Sequence, residues 1–195
     1  MRDPDLQQFL EFARAAFLKA SPGGRSRQSV KAIFTRLEAE GEASRKDGVR
    51  LPVCRHLDAA LSEALNDTDI APLAEAFRAI EPRLTWYRRA SWDETASPDF
   101  SNGHANTMVF GPGGLEEHGG LMLGASLLAP HVRYPDHDHA PEETYLVMSA
   151  GEFRHGESDW FSPGVGGSFY NTPAVRHAMR ASEKPLFAFW ALLSV

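Results

Sequence analysis

Near Leu84 the hydrophobic period of this chain changes, and that change limits the folds open to it. Up to that point apolar residues recur at the spacing of one helix face: Leu6, Phe9, Leu10, Ala13 and Phe17, then Val30, Ile33, Phe34 and Leu37. Further runs extend from about Val53 to Leu65 and from about Ile70 to Ile80. SPGGRS (21–26) separates the first two runs and KDGVRLP (46–52) the second and third, both rich in turn-forming residues. Pro82 closes the fourth, since proline cannot continue a helix. Beyond Leu84, short runs rich in aliphatic and aromatic residues (MVFG, GLMLGASLLA, TYLVMS, GSFY, LFAFWALL) alternate with Gly, Pro, Asn and Asp, and a period of two takes over. The expectation is a mainly β protein, with an N-terminal helical segment over 1–83 and an antiparallel sandwich or barrel over 84–195. LFAFWALL is too apolar to be left in water, so the last strand is expected to lie centrally in the sheet packing. At 195 residues, 43% of them hydrophobic, the chain can bury one substantial core plus a helical layer.

Several function classes drop out on composition. Cys54 is the only cysteine, which excludes an intrachain disulfide or a thiolate cluster and leaves nitrogen and oxygen as metal ligands. A net charge of -6 and a pI near 5.7 argue against a nucleic-acid partner, which needs a concentrated basic face. Asp, Gln and Glu interrupt the first twenty residues, so they read neither as a membrane span nor as a signal peptide, and a cytoplasmic protein is expected. RLTWYRRASW (83–92) mixes basic and aromatic residues and is read as a solvated strand edge. GPGG (111–114) lacks the helix and Lys-Ser/Thr of a phosphate loop and reads as a turn. His56, His104, His118, His131 and His155 are read as structural or surface residues.

The chemistry concentrates in HDHAPEETY (137–145). Residues two apart on a strand share a face, so His137 pairs with His139 and Glu143 with Tyr145 across a Pro-containing turn, while Glu142 points the other way. Burying imidazoles and a carboxylate together is costly unless they hold a cation or face water. NTPAVRHAMR (171–180) supplies His177 at the start of another strand. Imidazole and carboxylate suit a divalent Zn, Fe, Mn, Co or Ni ion and leave coordination positions open.

His137, His139, Glu143 and Gly151, followed by Gly167, Pro173 and His177, resemble the two motifs of the cupins, with Val175 standing where a glycine is frequent. The resemblance implies a double-stranded β-helix barrel with a metal in its mouth. Within the cupins, the N-terminal helices, Tyr134 before the histidines and Tyr145 two residues after Glu143 resemble the bacterial dimethylsulfoniopropionate lyases of the DddQ type. That family implies His139, Glu143 and His177 as principal metal ligands, Tyr145 as catalytic base and possible fourth ligand, and Tyr134 and His137 as pocket residues beside the metal, Tyr134 with a catalytic part as well.

The implied substrate is a small zwitterion, carboxylate at one end and sulfonium at the other. A β-elimination would release dimethyl sulfide and acrylate. A Lewis-acidic cation would stabilise charge at the carboxylate end, and Tyr145 would remove the α-proton. Tyr134, Trp190 or Phe189 could face the sulfonium. Other readings are a cupin dioxygenase, a sugar isomerase using Arg133, Arg154 and Arg176 for phosphate, or a metal-binding sensor or anti-sigma-like regulator that docks through its helices. A lyase is expected to carry the helices as a lid over the barrel mouth, and a monomer or homodimer fits equally.

Overall fold

A computed structural model describes residues 1–44 and 47–194; Lys46, at the start of the second turn segment, lies outside them. The helical half contains α1 (Pro4–Ala20), α2 (Gly24–Arg36), α3 (Leu57–Leu61) and α4 (Ala71–Ile80), with a short strand β1 (Glu42–Ala43) after α2. Asp3 caps α1 by accepting the Leu6 N–H, and Pro4 occupies the first turn, where its missing N–H costs nothing. The run expected over Val53–Leu65 is not one helix. It breaks into a 3-10 turn (Pro52–His56), α3 and a second 3-10 turn (Ala64–Asn66). The Ser62 hydroxyl and Asn66 amide donate to the Ala59 and Ser62 carbonyls at 2.7 and 3.0 Å, competing with the helical ladder.

The remaining elements are β2 (Trp86–Tyr87), a short helix α5 (Phe100–Gly103), β3 (His104–Phe110), β4 (Glu116–Glu117), β5 (Leu121–Leu128), β6 (Arg133–His137), β7 (Glu142–Val147), β8 (Glu152–His155), β9 (Ser168–Asn171), β10 (His177–Arg180) and β11 (Leu186–Leu193). They form an eight-stranded sheet of order β1-β4-β3-β5-β11-β7-β9, with β2 on β3, and a three-stranded sheet β6-β10-β8. Side chains of both sheets meet in one interior core, Tyr134, Phe153 and Met179 from the small sheet with Tyr145, Phe169, Ala188 and Trp190 from the large one. This is the cupin barrel.

Strand β11 explains why eight consecutive apolar residues were needed. It lies between β5 and β7, with Phe187, Phe189, Ala191 and Leu193 in the core shared with the helices and Leu186, Ala188, Trp190 and Leu192 in the barrel interior. Both faces are buried, so the polar-out alternation of a solvated strand disappears. On the helical side Phe9 packs on Phe189 and Phe77 on Phe187, ring centroids 5.7 and 5.2 Å apart. Two ion pairs join the layers at 2.7 Å each, Arg2 with Glu116 and Arg25 with Glu142.

The helices therefore cover the outer face of the large sheet, and the lid expected of them is not there. Their apolar stripes are taken up by the outward side chains of β11, Phe187 and Phe189 among them. Gly151 marks a tight approach: a Cβ there would lie 2.1 Å from the Leu186 side chain.

Candidate metal centre

Three strands and one turn bring the histidines together. His137 ends β6 and stands opposite His177 on β10, which on its other side is paired with His155 of β8. His139 lies in the turn between β6 and β7, whose carbonyl accepts the Ala174 N–H at 2.9 Å, tying this turn to the one before His177. The ligand atoms of His137, His139 and His177 all fall within 4.8 Å of one another. The carboxylate of Glu143, on the inward face of β7, adds an oxygen 3.5 Å from His139 Nε2 and 3.3 Å from His177 Nε2.

The tautomers follow from the partners. His137 Nδ1 faces the Pro135 carbonyl at 3.0 Å, His139 Nδ1 that of Pro141 and His177 Nδ1 that of Val175, both at 2.9 Å. Carbonyl oxygens only accept, so each Nδ1 carries the proton and each Nε2 presents a bare lone pair. The Nε2 atoms of His139 and His177 are buried without a hydrogen-bond partner. Buried polar atoms left unpaired are costly, and these two lone pairs, with that of His137 and the neighbouring carboxylate, could hold a metal ion.

Electrostatics agree for two of the three histidines. Burial, then neighbouring His177, drives the His137 imidazole down to about 3, and burial also lowers His177, so both are neutral at neutral pH. At His139 burial is outweighed by the pull of Glu143, which raises the imidazole above its ordinary value. Burial works against ionised Glu143, but His139 and His177 outweigh it and hold the carboxyl below its ordinary range. Asn171, fully buried, donates to Glu143 Oε2 at 2.9 Å and accepts from His155 Nδ1 at 2.8 Å, so it orients the carboxylate.

Tyr145 follows Glu143 on the same face and is 3% exposed, its ring stacked on Phe169 at 4.9 Å. Burial and then the Glu143 charge push its phenol well above 10. Tyr134, also buried, accepts from Asn106 Nδ2 at 3.1 Å. Behind it the chain continues with fixed polarity: Trp190 Nε1 donates to Ser126 Oγ at 3.0 Å, and Ser126 donates to Asn106 Oδ1 at 2.7 Å. Indole can only donate, so every bond runs the same way, and the Tyr134 O–H is left to point elsewhere. Gly124 makes this possible, because a Cβ there would sit 2.3 Å from the Trp190 ring.

These residues line a cavity of about 400 Å³ whose other walls include Met108, Met122, Met179 and Leu192. Its rim is Tyr87 to Ala90, part of the stretch read as a solvated strand edge, and none of the lining residues comes from the helices. Trp190 lines the cavity, whereas Phe189 belongs to the core shared with the helices. Arg133, Arg154 and Arg176 are outside it, each paired with Asp136. These three arginines therefore do not form the phosphate pocket that an isomerase reading gave them. Sequence reading passed over Asn106, Ser126 and Asn171; of these Ser126 carried a signal, a lone polar residue inside the apolar strand LMLGASLL.

The model of one protein family, dimethylsulfoniopropionate lyase, matches residues 25–188. The chain belongs to the dimethylsulfoniopropionate lyase family. It is a lyase, and its relatives carry the same description. A Cereibacter sphaeroides protein provisionally named dimethylsulfoniopropionate lyase DddL is 25% identical over 92% of this chain and 78% of its own length. A chain from the crystal structures of the lyases RdDddP and RnDddQII superposes with a TM-score of 0.78 at 25% identity, covering 98% of this chain and 93% of that one. The lyase DddQ of Ruegeria pomeroyi gives 0.77 at 20% identity over 99% and 93%, and shares the fold. Among the described residues no helix is long and apolar enough to cross a membrane.

Proposed function

We propose that this lyase splits dimethylsulfoniopropionate into acrylate and dimethyl sulfide by β-elimination in the cavity described above. His139, Glu143 and His177 would hold one divalent transition metal ion, with His137 and Tyr145 beside it. The observation that carries the reading is the pair of buried, partnerless Nε2 atoms facing the Glu143 carboxylate, with Tyr145 on the same wall. Zn, Fe, Mn, Co and Ni all accept this ligand set. When bound, such an ion supplies Lewis acidity to the substrate's carboxylate end and favours the tyrosinate over the phenol.

The chain's own groups do the rest. The Tyr145 phenolate oxygen takes a proton from the carbon next to the carboxylate. The electron pair of that C–H bond becomes the new C=C bond, and the C–S pair leaves on sulfur as neutral dimethyl sulfide. Sulfur needs no proton, so no general acid is required. Trp190 and the cavity methionines give the dimethylsulfonium an apolar, polarisable wall. Tyr134, its O–H set by Asn106, is a hydrogen-bond donor to the reacting substrate. The substrate is a small zwitterion, the location cytoplasmic and the assembly a monomer or homodimer, with neither nucleic acid nor membrane as partner; the net charge of -6 supports the absence of a nucleic-acid partner.

The test is headspace dimethyl sulfide over purified protein and dimethylsulfoniopropionate, with and without a chelator, and with Tyr145→Phe. Gas is expected from the wild type, with loss on chelation and a fall of at least ~100-fold in the Phe variant. A folded, metal-loaded wild type that releases no gas would refute the elimination.

A further inference from the structure

We infer that Arg89, held at the cavity rim by His104, takes the carboxylate of the anionic ligand. The inference rests on the reading above only in supposing that the ligand is a short carboxylate.

Arg89 sits where a buried residue has been committed to holding a surface backbone. His104, 0% exposed at the start of β3, faces the Phe100 carbonyl with Nδ1, so that nitrogen carries the proton. The bare Nε2 accepts the backbone N–H of Arg89 at 2.8 Å. The Phe100 ring lies flat on the imidazole, centroids 3.7 Å apart and planes within 6°, and Tyr134 packs edge-on against both. The rim is thus anchored to the same aromatic group that lines the site.

The guanidinium is oriented and carries no carboxylate. Its Nε donates to the Ser91 carbonyl at 2.9 Å, which fixes the plane, and its terminal groups lie beside the Tyr134 hydroxyl. Arg133, Arg154, Arg176 and Arg180 each pair with a carboxylate. Among the described residues Arg89 pairs with none. It lines the cavity with Tyr134, His137 and Tyr145, so it faces the site. A guanidinium fork matches a carboxylate in bidentate fashion, and a lysine does not. Around it the cavity is otherwise apolar or neutral apart from Arg88 and Glu143, and Glu143 is engaged with the histidines.

The experiment is calorimetric titration of as-purified protein with propionate, which has the carboxylate and lacks the sulfonium, alongside steady-state dimethyl sulfide release. Arg89→Gln is expected to weaken propionate about ten- to a hundredfold and raise KM by a similar factor, with kcat within about threefold and an unchanged melting temperature. Arg89→Lys recovers part of the loss. His104→Phe weakens propionate as well, and His104→Gln, which keeps one acceptor and one donor, restores it. Equal propionate affinity in wild type and Arg89→Gln would overturn the assignment, and a folded His104→Phe protein binding like wild type would overturn the positioning role. A wild type that makes no dimethyl sulfide while Arg89→Gln still loses propionate would remove the lyase mechanism and leave Arg89 standing. Gas release with Arg89→Gln unaffected in both assays would do the reverse.

Discussion

Asn171→Leu isolates the support behind the proposed metal ligands from the ligands themselves. Asn171 is fully buried on β9, with its amide nitrogen 2.9 Å from Glu143 Oε2 and its oxygen 2.8 Å from His155 Nδ1. Leucine keeps the branched skeleton of asparagine in a bulkier, apolar form, so the two hydrogen bonds are lost and the thermal melt reads any packing cost. His155 is only half-buried and recovers an acceptor from water, which leaves the bond to Glu143 as the net loss. A hydrogen bond to a charged group contributes about 1.5–3 kcal/mol, a factor of about 10–150 in an equilibrium constant. Groups that orient metal ligands typically change affinity by about 10–100-fold, and the two figures agree. The assay is competition for Zn or Mn against a chromophoric chelator, with a thermal melt on the same sample. The expected result is a metal Kd raised about 10–100-fold in a folded protein. A folded Asn171→Leu variant whose Kd stays within about twofold of wild type would refute the claim that this carboxylate is a ligand needing orientation.

Arg2→Met should be the more damaging change to stability although it lies far from the site in the fold. Burial alone would raise Glu116, yet Arg2, the Gly41 N–H and His118 bring it down to about 2, and removing the arginine strands a buried carboxylate at a cost of about 3–5 kcal/mol, readable by urea denaturation. Acid stability carries a separate signature from His104, whose burial lowers it from 6.5 to about 4. The unfolded chain takes up that proton first, so its contribution is complete above pH 6.5 and is lost as pH falls towards 4, with a ceiling of about 3 kcal/mol. Denaturation series between those pH values should show a shallower loss in His104→Phe than in the wild type.

The sheet's two-sided burial shows why some elements were legible and others were not. Three of the four helical runs, the strand texture after Leu84 and the central place of LFAFWALL follow from local periodicity, because a helix or strand buries whichever stripe its period exposes. The break within Val53–Leu65 depends on Ser62 and Asn66 competing for backbone carbonyls, which periodicity does not register. The side of the barrel on which the helices sit was equally out of reach. An amphipathic stripe specifies that it will be covered, and says nothing of which apolar surface covers it.

The site divides in the same way. HDHAPEETY and His177 declare their chemistry by residue type and spacing, since a metal's ligand preferences are written in the identities of a few side chains. Their convergence, the Asn171 brace on Glu143, the one-way chain from Trp190 to Tyr134 and the Arg89 rim held by His104 join residues between 15 and 64 positions apart along the chain. Only folding brings those partners within hydrogen-bond distance. By itself the amino-acid order determined the helical and β halves and the residue types proposed as ligands. Tertiary structure decided the orientation of that set and what faces it, because a lone polar residue in an apolar strand acquires a direction only when its partner arrives from another strand.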